Sequence, residues 1–193
     1  MKKILSSIII LAVIILGYFL TMDRGNKVEL NSDNNQANSQ SEQDAGNNLK
    51  VGTRVGDLAP DFEVVDYQGN TVKLSDFKGS KPVFVNFWAS WCPFCLDEML
   101  LMGRIQEQFG DAYVTIAINR NEGLKTAKQY TDDLGVTNKY IVAWDDGDDI
   151  YKRYNGFSMP YSIFIDKDGI IKSLKLGPLA EEELVERIGE IIN

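Results

Sequence analysis

The only two cysteines of this chain stand three positions apart in Trp91-Cys92-Pro93-Phe94-Cys95, shortly after the strand-like run Val83-Phe84-Val85-Asn86-Phe87. A Cys-x-x-Cys pair where a strand gives way to a helix reads as a redox site. Two intervening residues let one helical turn hold both sulfurs within bonding reach, so the bond can open and close without moving the fold. The first cysteine then falls at the helix N-terminus, where free N–H groups and the positive end of the dipole favour a thiolate. Pro93 suits the same place, because the first turn does not need its missing N–H. Cys95 is expected one turn inside the helix and less exposed. A structural zinc site needs four ligands, and the chain offers two cysteines and no histidine. A purely structural disulfide closing so short a loop would constrain the unfolded chain very little. The pair therefore predicts thiol–disulfide chemistry, with no cofactor and no metal.

The N-terminus differs in kind from the rest. Lys2 and Lys3 precede an uncharged apolar stretch, Ile4–Leu20, which at about 1.5 Å per residue reaches roughly 25 Å, the short end of a membrane span. The lysines place the remainder outside the cytoplasm. Gly17-Tyr18-Phe19-Leu20-Thr21-Met22-Asp23 carries no clear small-x-small cleavage site, so a retained anchor over residues 1–22 is preferred to a cleaved signal peptide. Residues 23–50 are rich in Asn, Gln, Ser and Asp, with Val28, Leu30 and Leu49 as the large apolar exceptions. Such a segment buries too little surface to fold and is expected to be a disordered tether, on the order of 30 Å across as a flexible coil. A net charge of −8 argues against nucleic acid, which asks for a basic face.

Residues 51–193 are patterned as one globular domain. Two short runs, Phe62–Val65 and Thr71–Leu74, flank Tyr67-Gln68-Gly69-Asn70 and predict an N-terminal hairpin. Buried strands are expected at Pro82–Phe87 and Tyr113–Asn119, and a short one at Tyr140–Ala143. Helices are expected at Cys92–Phe109, where Cys95, Met99, Met102, Ile105 and Phe109 share a face, at Glu122–Leu134, near Asp149–Tyr154, and at Glu181–Ile192. A second hairpin joins Tyr161–Asp166 to Ile170–Leu176 around Lys167-Asp168-Gly169. Strands alternating with helices indicate an α/β fold, a central mixed sheet covered on both faces. Asp145-Asp146-Gly147-Asp148-Asp149 lacks the ligand series of an EF-hand and reads as an acidic surface loop.

From Val51 to Asn193 the chain resembles the thioredoxin superfamily, and within it the TlpA/ResA-like extracytoplasmic oxidoreductases. The resemblance rests on Gly56-Asp57-Leu58-Ala59-Pro60-Asp61-Phe62, on Leu74-Ser75-Asp76-Phe77-Lys78-Gly79, on Val85–Cys95, and on Met159-Pro160-Tyr161-Ser162-Ile163-Phe164-Ile165-Asp166-Lys167-Asp168-Gly169. It implies a thioredoxin-like fold with Cys92 as nucleophile and Cys95 as resolving thiol. It further implies that Pro160 is a cis-proline facing the pair, where an isolated reading would make it a trans boundary residue. Met159 would then offer its backbone to an extended substrate, beside Trp91, Pro93 and Phe94 in the groove. Glu98, three residues beyond Cys95, matches a glutamate that aids proton transfer at the resolving thiol; otherwise it is a solvated helix charge. Asn86 takes the place of a buried aspartate and either satisfies backbone groups or leaves proton transfer to Glu98 or water. Met159, Tyr161 and Leu100 depart from the family's usual residues.

The implied function is thiol–disulfide exchange with protein substrates outside the cytoplasmic membrane. Phe94 brings no hydrogen bond or charge to a Cys92 thiolate and Glu98 opposes one, so the pair leans towards reduction. Cytochrome c maturation is one pathway such a reductant serves. It would draw electrons from a membrane dithiol donor of the CcdA/DsbD type; a disulfide-forming oxidase would pass them to a quinone-linked partner. Ala59-Pro60-Asp61-Phe62 also resembles thiol peroxidases, but Ala89-Ser90-Trp91 lacks the Thr and Pro those carry before the reactive cysteine. An inert peptide-binding module is the remaining alternative.

Overall fold

The computed structural model describes residues 49–193; the anchor and all but the last two tether residues expected from the sequence lie outside the described residues. Among those described, no helix is long and apolar enough to cross a membrane. Seven strands form one sheet: β1 Glu63–Asp66, β2 Thr71–Lys73, β3 Val83–Trp88, β4 Val114–Arg120, β5 Ile141–Asp145, β6 Tyr161–Ile165 and β7 Ile171–Leu176. Four α-helices accompany them: α1 Cys95–Phe109, α2 Leu124–Leu134, α3 Asp149–Arg153 and α4 Glu181–Ile192. The strand order is β2-β1-β5-β4-β3-β6-β7. β3, β4 and β5 run parallel, while β6, β7, β1 and β2 pair antiparallel at the flanks. This is the thioredoxin-like α/β arrangement, a mixed sheet with helices on its faces.

Period-two alternation along the central strands decides which side chains reach the site. On β3, Val83, Val85 and Phe87 enter one core with Ile116, Ile118, Ile163, Ile165, Tyr151 and Tyr154. Phe84 and Trp88 enter the other, with Cys92, Cys95, Met99, Met102, Ile105, Leu184 and Ile188. Phe84 stacks on its cross-strand partner Phe164 at 4.6 Å between ring centroids, an arrangement that adds about 1 kcal/mol to the burial of the two rings. Asn86 stands between Phe84 and Trp88 in this alternation and therefore faces α1. Its register partner on β6 is Ser162, which faces the same way.

Three local expectations need correction. Helix α1 begins at Cys95 rather than Cys92, because Cys92–Phe94 form a turn closed by the Cys95 N–H donating to the Cys92 carbonyl at 3.2 Å. Cys95 is thus the first helical residue, not one turn inside. Leu74–Phe77 form a 3₁₀ turn in place of a longer β2, with the Asp76 carboxylate accepting the Lys73 N–H. The acidic run 145–149 is not a surface loop throughout. Asp145 and Asp148 are buried: Asp145 accepts the N–H groups of Asp149 and Ile150 at the start of α3, and Asp148 pairs with Arg120.

Candidate active site

Strand β3 ends at Trp88, and the chain turns through Ala89–Phe94 before α1 starts. The Cys92 N–H donates to the Ala89 carbonyl at 3.1 Å, which brings the first cysteine back over the sheet. Cys92 and Cys95 form a disulfide with their Cα atoms 5.4 Å apart. Both are buried, at 3% and 1% exposure, so the expected contrast between them is slight. What differs is the collar. Trp91 and Phe94 are 65% and 59% exposed, Pro93 is exposed too, and Trp88 is fully buried. Trp91, Pro93 and Phe94 flank Cys92 along the chain and face solvent, while both cysteines lie in the core that holds Met99 and Met102.

The Met159–Pro160 peptide bond is cis. Register places Tyr161 opposite Phe87, so Pro160 lies level with the end of β3, where the cysteine loop departs. The Pro160 carbonyl accepts the Gly177 N–H at 2.9 Å. Met159 is half-buried and packs against both cores. Tyr161 is buried, stacked on Phe87, its hydroxyl donating to the Tyr154 carbonyl at 3.3 Å.

Glu98 is not a solvated helix charge. It is 3% exposed, on the α1 face that carries Cys95 and Met102 inward. The Asn86 amide donates to its Oε1 at 2.7 Å, and the Leu179 N–H, from the segment before α4, donates to Oε2 at 2.8 Å. Asn86 also donates to the Ser162 hydroxyl at 2.9 Å, which in turn donates to Glu98 Oε1 at 3.3 Å. Asn86 thus serves side chains rather than backbone groups. Burial pushes the Glu98 carboxyl up to about 7, against the opposing pull of these hydrogen bonds and of the Lys175 charge. A carboxyl that exchanges its proton near neutrality can serve as acid or base to a neighbouring thiol.

A mixed sheet carrying a Cys-x-x-Cys disulfide just beyond the end of an inner strand, level with a cis-proline, defines a thioredoxin-fold thiol–disulfide oxidoreductase. The chain belongs to the AhpC/TSA family, which it matches across residues 55–174. It is 37% identical over 139 residues to the thiol-disulfide oxidoreductase ResA of Bacillus cereus (strain ATCC 10987 / NRS 248), covering 71% of this chain and 78% of that one. It is 31% identical over 142 residues to the thioredoxin-like protein YneN of Bacillus subtilis (strain 168), covering 72% and 81%. Among solved structures it resembles a candidate thiol:disulfide interchange protein DsbE from Chlorobium tepidum, with a TM-score of 0.67, 28% identity, and coverage of 74% of this chain and 100% of that one. Protein thiols and disulfides are the substrates this class implies.

One residue of the site carried no signal in the sequence. Glu122, in the turn between β4 and α2, reaches back to the cysteine loop and bonds Ser90. Its partners come from three separate segments, so no local pattern could have singled it out.

Proposed function

We propose that the protein is a disulfide reductase working on the outer side of the cytoplasmic membrane, held there by its N-terminal segment. The observation that carries the direction is the charge around the pair. The first turn of α1 holds Asp97 and Glu98, and no side chain caps its N-terminus; Phe94 and Pro93 supply neither charge nor donor. The Asp97 charge, and that of Glu98 when it is ionised, offsets the positive helix end that would otherwise favour a Cys92 thiolate. A thiolate that is poorly stabilised makes the dithiol the better electron donor.

In the forward reaction the Cys92 thiolate attacks one sulfur of a substrate disulfide, releasing the other as a thiolate and forming a mixed disulfide. Cys95 then attacks Cys92 Sγ, freeing the second substrate sulfur and closing the Cys92–Cys95 disulfide. The Cys95 proton passes to ionised Glu98, and the leaving thiolates take protons from solvent. Two electrons move from the pair to the substrate. The substrate backbone pairs with that of Met159 as an added strand, against Trp91, Pro93, Phe94 and Pro160. The pair is re-reduced by a membrane dithiol donor of the CcdA/DsbD type, and cytochrome c maturation is one route that such a reductant supplies.

The reduction potential of the pair, followed by tryptophan fluorescence in graded thiol buffers, tests the direction. A value below about −240 mV supports the reductase. A value above about −160 mV overturns it in favour of a disulfide-forming oxidase feeding a quinone-linked partner. Cys95→Ser should accumulate a mixed disulfide through Cys92, whereas Cys92→Ser should accumulate none; the opposite pattern would reverse the two cysteine roles.

A further inference from the structure

Glu122 lies outside the reacting groups, yet its carboxylate holds the loop that delivers Cys92. Its Oε2 accepts the Ser90 N–H at 2.7 Å and an Asn119 amide N–H at 2.7 Å, and its Oε1 accepts the Ser90 hydroxyl. Glu122 is itself fixed, because its backbone carbonyl accepts the Trp144 indole N–H at 2.5 Å. Asn119 belongs to β4 and Trp144 to β5, neighbours in register. The carboxylate is therefore tied to the rigid sheet on one side and to the cysteine loop on the other. Ser90 is gripped by both its backbone and its side chain, one residue after the Ala89 carbonyl that receives the Cys92 N–H.

The loop has little else to hold Ser90. It lies between the end of β3 and the start of α1, and the next residue, Trp91, is largely exposed. A turn of this kind can tilt unless a side chain from elsewhere restrains it. Thiol–disulfide exchange is sensitive to tilt, because the attacking sulfur must approach along the axis of the bond it breaks, and misplacement by about 1 Å can cost a hundredfold in rate.

We propose that Glu122 is a positioning residue for thiol–disulfide exchange: by clamping Ser90 it fixes the Ala89–Cys92 turn and so the line of attack of Cys92. The proposal rests on Cys92 being the nucleophile. The full chain, reduced, is mixed with a small aromatic disulfide and with insulin as a protein disulfide, and second-order rate constants are measured at fixed pH. Glu122→Ala is expected to be slower by about tenfold, the worth of a charge-assisted hydrogen bond. Glu122→Gln, whose amide oxygen still accepts the Ser90 N–H, is expected to recover to within about threefold of the parent.

If Ala and Gln change the rate alike, the carboxylate acts through its charge and the clamp is overturned. If Glu122→Ala melts earlier but reacts at the parent rate, its role is only structural and the proposal fails. Should Glu122→Ala not fold, Ser90→Ala decides: a loss of about threefold supports the clamp and an unchanged rate overturns it. Cys92→Ser is run alongside. If it keeps reacting while Cys95→Ser does not, the nucleophile reading is what has failed, and the Glu122 results separate from it.

Discussion

Glu98 is a carboxyl group surrounded by donors but shut away from water, and the two influences pull its proton in opposite directions. Burial wins, and the group exchanges its proton near 7 where a free one does so near 4.5. Below about pH 4.5 the folded and unfolded chains both hold this proton, so the group does not affect stability. Between 4.5 and 7 the unfolded chain has released it and the folded chain has not, so the unfolded state gains on raising the pH. Stability should therefore fall across that window and level off above it, by up to about 3 kcal/mol. Glu98→Gln should flatten the fall, and urea denaturation at several pH values from 4 to 8 would show it; an unchanged slope would mean the carboxyl is not the group responsible. The position of Glu98 was legible from its three-residue spacing to Cys95. Its burial was not, because Leu179 and Ser162, which cover it, lie 81 and 64 residues further along the chain. A helical periodicity says which side a residue is on, and says nothing of what is laid over that side.

Among the elements, α3 is the one least able to stand alone. Five residues are far too few for an isolated helix, and its place is set from outside. Asp145 receives its first N–H groups, and Asp148, buried in the left-handed region at φ 59°, forms a two-point ion pair with Arg120 at the end of β4. The guanidinium also lies 3.7 Å over the Tyr151 ring. Arg120→Ala would leave Asp148 buried and unpaired, at a cost of about 3–5 kcal/mol. Removing both partners together should cost less than the two single losses combined, and a double-mutant cycle by chemical denaturation measures the difference. Additive losses would show that the pair is not coupled. Short elements of this kind were the hardest to place from sequence. The acidic run read as solvent-facing because each aspartate alone prefers water, and only the distant Arg120 makes burial affordable for Asp148. The long elements were legible: α1 and α4 because many residues agree on one face, β3 and β4 because each is a nearly continuous apolar run buried on both faces. The start of α1 was misjudged by three residues, where the cysteine turn intervenes.

At the scale of the molecule, the described residues, 49–193, form a unit of their own, with a core on each face of the sheet. A chain beginning at residue 48 should keep the full rate of disulfide exchange in solution. The full chain should sediment with membranes and the shortened one should not; recovery of both in the soluble fraction would remove the anchor from the proposal. The alternating strands and helices made the α/β class legible, whereas the β1–β5 pairing was not, since it joins segments far apart in sequence through only two register pairs, Val65–Trp144 and Asp66–Ala143. The outermost strands, β2 and β7, have a further consequence. β2 is three residues long and ends in Lys73, and β7 carries Lys172 and Lys175 along its run. Short or lysine-bearing margins discourage a neighbour from adding its own strand. Molecules held at a surface, as the proposed anchor would hold these, collide far more often than molecules free in three dimensions, and sticky margins there would seed clumping. On the function proposed above, the fold takes up a passing peptide beside its cis-proline and refuses its own kind at its rims, and the chain separates the two by giving each a different stretch of backbone.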